Sequence, residues 1–202
     1  YISGGSGYIH VFRYTVQSGD DSSDLDYTST TSLALNGGSI QDAAENNANL
    51  TLPSPGAANS LSDSKAIVID AVAPTITSGT TGTNLAENSG AGQTIYTITA
   101  DANDGGTIAS FAIGGTDAAL LSVNAATGVV SLTADPNFET KSSYSFTVTA
   151  TDDSSNTSAA TTVTFSITNV DETAPSITSG ETGINLAENS GAGQTIYTIT
   201  AD

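Results

Sequence analysis

Residues 73–101 read APTITSGTTGTNLAENSGAGQTIYTITAD, and residues 174–202 read APSITSGETGINLAENSGAGQTIYTITAD. Aligned from Ala73 and Ala174, the two stretches differ only at Thr75/Ser176, Thr80/Glu181 and Thr83/Ile184. A repeat spacing of about a hundred residues is one small domain, so the chain reads as an array of similar modules. The second copy stops at Asp202, where its first full strand is expected to end. A stretch this short cannot bury a core of its own, and the sequence reads as a window on a longer protein.

The composition narrows the class. Against 21 acidic residues stand three basic ones, Arg13, Lys65 and Lys141, for a net charge of −18. That excludes a nucleic-acid partner, which needs a basic face, and an anionic membrane surface. Charged residues make up only 12% of the chain, about half the usual ~25%. Thr, Ser, Gly and Ala fill the gap, which suits short strands and turns. There is no cysteine, so neither disulfides nor thiol chemistry are available. No apolar run approaches the roughly 18 residues of a membrane span, so direct membrane insertion is not expected. The balance points to an extracellular or cell-surface protein that uses metal where others use disulfides.

Three blocks follow from the patterning. Residues 1–71 are expected to be part of a first domain. Tyr8 to Val16 alternates Phe12, Tyr14 and Val16 against Arg13 and Thr15, as a half-buried strand does. Further strands are expected at Ser32–Leu35, Leu50–Leu52 and Ala66–Ile69, with acidic loops at Gly19–Asp26 and Asp42–Asn47. Asp70 and Pro74 then mark a boundary. Residues 72–172 form a complete module. Tyr144, Phe146, Val148 and Ala150 alternate with Ser145, Thr147 and Thr149, and Val163, Phe165 and Ile167 alternate with hydroxyl residues from Thr162 to Thr168. Two such segments in succession are an antiparallel signal. With strands near Thr75–Ser78, Thr94–Ala100, Ser110–Ile113, Leu120–Asn124 and Val129–Thr133, the module has seven strands and reads as an all-β Greek-key sandwich. Residues 173–202 open a further module.

Strand parity then places the acidic loops. Each strand of an antiparallel sandwich reverses direction, so alternate loops share an end. Glu87, Asn137 and Glu139 are expected at the C-terminal end of the module with the linker residues Asn169, Asp171 and Glu172. Asp101, Asn103 and Asp104 meet Asp152 and Asp153 at its N-terminal end, and Asp202 is the second copy of Asp101. The same reasoning sets Asp42, Glu45 and Asn46 beside Asp70, facing the next module. A single acidic turn needs no ion, because Asp and Asn are common turn residues. Several converging on one spot repel unless a cation sits among them, and hard oxygen ligands suit Ca2+.

At these residues the module resembles the cadherin repeat. Ala86-Glu87-Asn88 matches its x-E-N turn, Asn137-Phe138-Glu139 stands where the family has D-x-E, Asp101-Ala102-Asn103 matches D-x-D, and Ala150-Thr151-Asp152 matches A-x-D. Asn169 to Pro175 matches the linker D-x-N-D-N-x-P loosely. The resemblance implies Ca2+ between successive repeats. Asn103, Asn137 and Asn169 each remove a charge from the family pattern, which lowers the expected number or affinity of ions. The first block is similar instead to the Ig-like repeats of giant bacterial surface proteins. Such a linear array of Ig-like then cadherin-like modules looks like the extender region of an RTX-type adhesin.

Other chemistry has little support. His10 is the only histidine, which rules out a histidine metal triad, and it reads as structural. Asp152 and Asp153 are neighbours in one turn and lack the facing geometry of glycosidase carboxylates. Asp101 to Gly105 fails as an EF-hand, because the twelfth position is Ala112. The Gly-Gly pairs have no following helix or Lys for phosphate. No enzyme is expected. The expected role is a calcium-rigidified spacer or adhesion module whose partners are neighbouring modules of the same chain, other cells or surfaces. The alternatives are a subunit of an extracellular filament or surface layer and a carbohydrate- or protein-binding sandwich.

Overall fold

A computed structural model describes residues 3, 4 and 10–202. The chain divides into two compact units, residues 1–168 and 169–202. Thirteen strands are described: β1 Ser3–Gly4, β2 His10–Val11, β3 Asp21–Ser22, β4 Ile69–Asp70, β5 Thr75–Ile76, β6 Leu85–Ala86, β7 Thr94–Thr97, β8 Ala100–Asp101, β9 Ile108–Gly114, β10 Leu121–Val123, β11 Val129–Leu132, β12 Ser143–Asp152 and β13 Thr161–Thr168.

From β5 onward the strands build a two-layer sandwich. One sheet has the order β10-β11-β7 and the other β6-β13-β12-β9. The leading strand serves both layers. Thr75 and Ile76 pair antiparallel with β8, and Leu85 and Ala86 then pair parallel with Ile167 and Thr168 of β13. Counting β5 with β6 and β7 with β8 as single interrupted strands gives the seven expected from the sequence.

Alternation decides which side chains meet between the layers. Tyr144, Phe146, Val148 and Ala150 of β12 are buried, as are Val163, Phe165 and Ile167 of β13. Ile95, Ile98, Val130 and Leu132 close the core from the facing sheet. The aromatic rings lock the packing: Tyr144 stacks on Phe165 at 4.7 Å, and Phe146 meets Tyr96 edge-on at 6.1 Å. The period does not stop at Ala150. Asp152 is the next inward position of β12, and it is only 2% exposed.

The first block departs from expectation. Of the strand expected at Tyr8–Val16, only His10–Val11 is formed; Tyr8, Ile9 and the side chain of His10 lie outside the described residues. Phe12, Tyr14 and Val16 alternate but stay exposed, at 62%, 60% and 48%. Alternation yields a half-buried strand only where an apolar layer exists to face it, and the partner strand here is two residues long. Ser32–Leu35 and Leu50–Leu52 form no strand, and the strand expected at Ala66–Ile69 is Ile69–Asp70. A short helix, α1 (Leu61–Ser64), went unforeseen. Its signal was present: the N-cap Ser60 accepts the Asp63 N–H at 3.2 Å, and Asp63 accepts the N–H of the preceding Asn59 at 2.8 Å.

In the second unit an isolated antiparallel bridge joins Ile177 to Ala201. Thr178 N–H donates to Thr200 O at 2.8 Å, and Asp202 accepts the Ser176 N–H at 2.7 Å.

Candidate metal centre

Asp152 owes its position to the inward parity of β12 and to a register shift between Thr151 and Asp152. Its Oδ1 accepts the Ser154 and Asn156 N–H groups at 3.1 and 2.7 Å, and its Oδ2 accepts from Asn156 Nδ2 at 3.1 Å. A buried carboxylate is costly unless compensated, and these three donors organise the turn that follows β12. Asp153, exposed, is tied to Thr107. Its N–H donates to Thr107 O at 3.1 Å and its Oδ2 accepts from the Thr107 hydroxyl at 3.2 Å.

Asp70 comes to the same place from the other side of the boundary. It ends β4, pairs with Asp21, and accepts from Val72 N–H at 3.0 Å and Asn156 Nδ2 at 3.1 Å. The Ser154 hydroxyl and the Val72 N–H hold its carboxyl below the ordinary range against burial, with Asp104 and Asn156 adding to the effect. Carboxylate oxygens of Asp70, Asp152 and Asp153 lie within 4.8 Å of one another. A Cβ on Gly106 would stand 3.0 Å from Asp104 Oδ1 and 3.2 Å from Asp153 Oδ1, so Asp104 borders the same cluster. Asp101 and Asn103 sit at this end but face the boundary strand. Asp101 Oδ1 accepts the Asn103 N–H at 2.9 Å, while Asn103 donates to Ala73 O at 2.9 Å and accepts from the Thr75 hydroxyl at 3.2 Å.

At the C-terminal end of the sandwich, Glu87 is 2% exposed and its Oε2 accepts the Phe138 N–H at 2.9 Å. Its own N–H donates to Thr168 O at 3.1 Å, and the Asn88 N–H donates to Pro136 O at 3.0 Å. These bonds tie the 86–90 turn to the 135–141 loop, as parity required. Glu139, exposed, brings a carboxylate oxygen within 4.8 Å of Glu87. Asn137 spends its side-chain oxygen on the Thr140 N–H at 2.7 Å. Asn169, Asp171 and Glu172 belong to the second unit, where Asp171 caps the Thr173 N–H at 2.9 Å.

Asp42, Glu45 and Asn46 are not brought into either carboxylate cluster among the described residues. They form a tight turn of their own between Gln41 and Asn47. Asp42 accepts from the Ala44 N–H, the Asn46 N–H and Asn46 Nδ2, each at 2.9 Å. These contacts, led by the Asn46 side chain, hold the Asp42 carboxyl below its ordinary range. The parity argument assumed a sandwich in the first block, whereas the described residues there form two two-stranded sheets, β1-β2 and β3-β4.

The sequence reading placed Asp104 and Asp153 at the right end without assigning them as ligands. It also missed Asp117, 7% exposed, whose Oδ1 is 3.0 Å from Lys141 Nζ and whose Oδ2 accepts the Ser145 N–H at 2.7 Å. Burial opposes ionisation there, but the Ser145 N–H and Lys141 outweigh it and hold the carboxyl below its ordinary range.

The N-terminal cluster is built from oxygen alone, with four carboxylates and neighbouring amides. That chemistry fits a hard divalent cation such as Ca2+ and suits no thiolate- or imidazole-seeking metal.

No curated protein matches the chain. Among solved structures it is similar to PcdhgB3 EC1-4, at 27% identity and a TM-score of 0.44 over 54% of this chain and 27% of that one. It is similar to Drosophila N-cadherin EC1-3, at 23% identity and 0.42 over 48% and 34%. Human protocadherin-24 EC1-2 is similar at 19% identity and 0.47 over 64% and 59%. The chain thus spans less than two thirds of each of these. Residues 82–168 match the model of the cadherin domain, and this part of the chain is similar to a cadherin repeat.

Proposed function

We propose that the chain is a run of calcium-rigidified spacer and adhesion modules of a large repetitive extracellular protein, of the kind found in the extender regions of bacterial surface adhesins. The observation that carries this reading is the meeting of Asp70, from the segment before the module, with Asp152 and Asp153 of the module, within 4.8 Å. Asp70, Asp152 and Asp153 are the central ligands of this reading, with Asp101, Asn103 and Asp104 at the rim. Glu87 and Glu139, with Asn137, are the second candidate set. The ion would supply charge that cancels carboxylate repulsion, and by bonding to both sides it would stiffen the boundary between Asp70 and Pro74. Without an ion, contacts between such segments are small and flexible by default. The role is mechanical and not catalytic, and millimolar extracellular calcium suits sites with dissociation constants of roughly 0.1–1 mM.

Calorimetric titration of the full chain with Ca2+ tests this. Binding in that range is expected, and Asp70→Ala with Asp152→Ala should remove the tightest step while circular dichroism keeps its β signal. A parent chain that takes up no calcium at 10 mM, or a double variant that binds like the parent, would sink the proposal.

A further inference from the structure

The sequence contains two Asn-x-Ser/Thr triplets that the calcium reading does not use: Asn49-Leu50-Thr51 and Asn156-Thr157-Ser158. A triplet of this form is an acceptor for N-linked glycan when it lies on an accessible loop of an exported protein. The two differ in every respect that bears on that chemistry.

Asn49 is exposed, in a segment without regular structure. Its backbone is pinned on both sides, by the Ala48 N–H to Ile40 O at 2.8 Å and by the Leu52 N–H to Thr30 O at 2.9 Å. Between them, Asn49 Oδ1 accepts the Thr51 N–H at 3.0 Å. That Asx turn folds the side chain toward the third residue of its own triplet. Asn156 is committed elsewhere: its Nδ2 donates to Asp152 Oδ2 and Asp70 Oδ1, both at 3.1 Å. Its third residue, Ser158, is 7% exposed and accepts the Ala150 N–H at 3.0 Å. Thr157 bridges to Thr151 of β12. An enzyme could reach Asn156 only by pulling apart the end of the sandwich.

We infer that Asn49 is an N-glycan acceptor of the folded chain and that Asn156 is not. The donor is an oligosaccharide carried on a lipid pyrophosphate. Asn49 Nδ2 attacks the anomeric carbon, a C–N bond forms and the C–O bond to phosphate breaks. The lipid pyrophosphate leaves and the amide gives up one proton, so no oxidant or further reactant is needed. The glycan would stand on the first block, on a segment that contributes no carboxylate to the Asp70 cluster.

The folded full chain, incubated with purified oligosaccharyltransferase and a defined lipid-linked oligosaccharide, should gain a single glycan. Peptide mapping by mass spectrometry should place it on Asn49 with at least tenfold preference over Asn156. Asn49→Gln and Thr51→Ala should each abolish the gain. The heat-unfolded chain should accept a second glycan on Asn156, since only the fold protects it. An unmodified Asn49 in the folded chain, or an Asn156 modified there at comparable yield, overturns the inference.

Discussion

Replacing Asp152 by Asn separates the two roles of this buried carboxylate. The substitution is isosteric and keeps an oxygen that can accept the Ser154 and Asn156 N–H groups, now 3.1 and 2.7 Å from Oδ1. What it removes is one charge from a trio whose oxygens lie within 4.8 Å, together with the Oδ2 acceptor of the Asn156 Nδ2 bond at 3.1 Å. Two like charges at such a distance repel by about 1 kcal/mol in water, rising to a few kcal/mol at the effective dielectric near a protein surface. In EDTA and low salt the relief of repulsion, up to about 3 kcal/mol, opposes the loss of that hydrogen bond, about 1–3 kcal/mol, so Asp152→Asn should stay within about 2 kcal/mol of the parent. In calcium the variant should fall clearly below the parent. A hundredfold excess over the dissociation constant stabilises a single-site protein by about 2.7 kcal/mol, and the variant should forfeit most of that. For a unit of this size each kcal/mol moves the melting temperature by about 2–4 °C. Differential scanning calorimetry at 10 mM CaCl2 and in EDTA should show the parent rising by roughly 5–10 °C on adding calcium, and the variant by less than half as much. The refuting result is a variant that melts below the parent in both conditions with an equal calcium response. Asp152 would then be a turn cap and nothing more.

Three further outcomes test neighbouring parts of the account. Asp70→Ala should lose the calcium-linked rise in melting temperature and Asp42→Ala should keep it, because only Asp70 belongs to the carboxylate cluster; equal losses would show that both loops hold the ion. Gly128 has φ +72°, and a Cβ there would stand 2.5 Å from Ile98 O, so Gly128→Ala should cost about 2–4 kcal/mol in urea unfolding. A loss below about 1 kcal/mol would mean that the 125–128 turn moves freely. The carboxyl of Asp117 is held below its ordinary range by the Ser145 N–H and Lys141. Its stabilising effect is complete above the unfolded value of about 3.9 and is lost as pH falls through the folded one. Melting curves from pH 6 to pH 2 should show a shallower acid decline for Asp117→Asn than for the parent, and parallel declines would remove that carboxylate from the acid transition.

The sandwich was legible because its evidence is local and periodic. Every alternating segment between Thr94 and Thr168 became a strand, and parity alone brought the Glu87 turn to the Asn137–Glu139 loop. Continuing the period one step past Ala150 would have found the buried Asp152 as well. The first block was less legible: Phe12, Tyr14 and Val16 carry the pattern of a half-buried strand yet stay exposed, beside a paired strand only two residues long. Among the described residues Asp42 stands apart from the Asp70 cluster, and parity has no force there without a sandwich.

The duplicated stretch divides the two kinds of information. In both copies the turn residues adopt the same left-handed backbone: φ is 59° and 63° at Asn88 and Asn189, 91° and 88° at Gly90 and Gly191, and 79° at both Gly92 and Gly193. Thr77 bonds Thr99 O at 2.8 Å as Thr178 bonds Thr200 O, and Tyr96 and Tyr197 each reach back to a Ser hydroxyl at 2.7 and 2.9 Å. These are interactions among residues fewer than thirty positions apart, and the sequence of the stretch determines them wherever it occurs. Burial is another matter. Ile95, Tyr96 and Ile98 are 0%, 7% and 1% exposed, whereas Ile196, Tyr197 and Ile199, identical in sequence, are 57%, 39% and 69% exposed. Only the layer formed by Val130, Leu132, Phe146, Val148 and Phe165 makes the difference, because removing apolar surface from water requires a second surface to cover it. The meeting of Asp70 with Asp152, 82 positions apart (152 − 70), was likewise decided by tertiary packing.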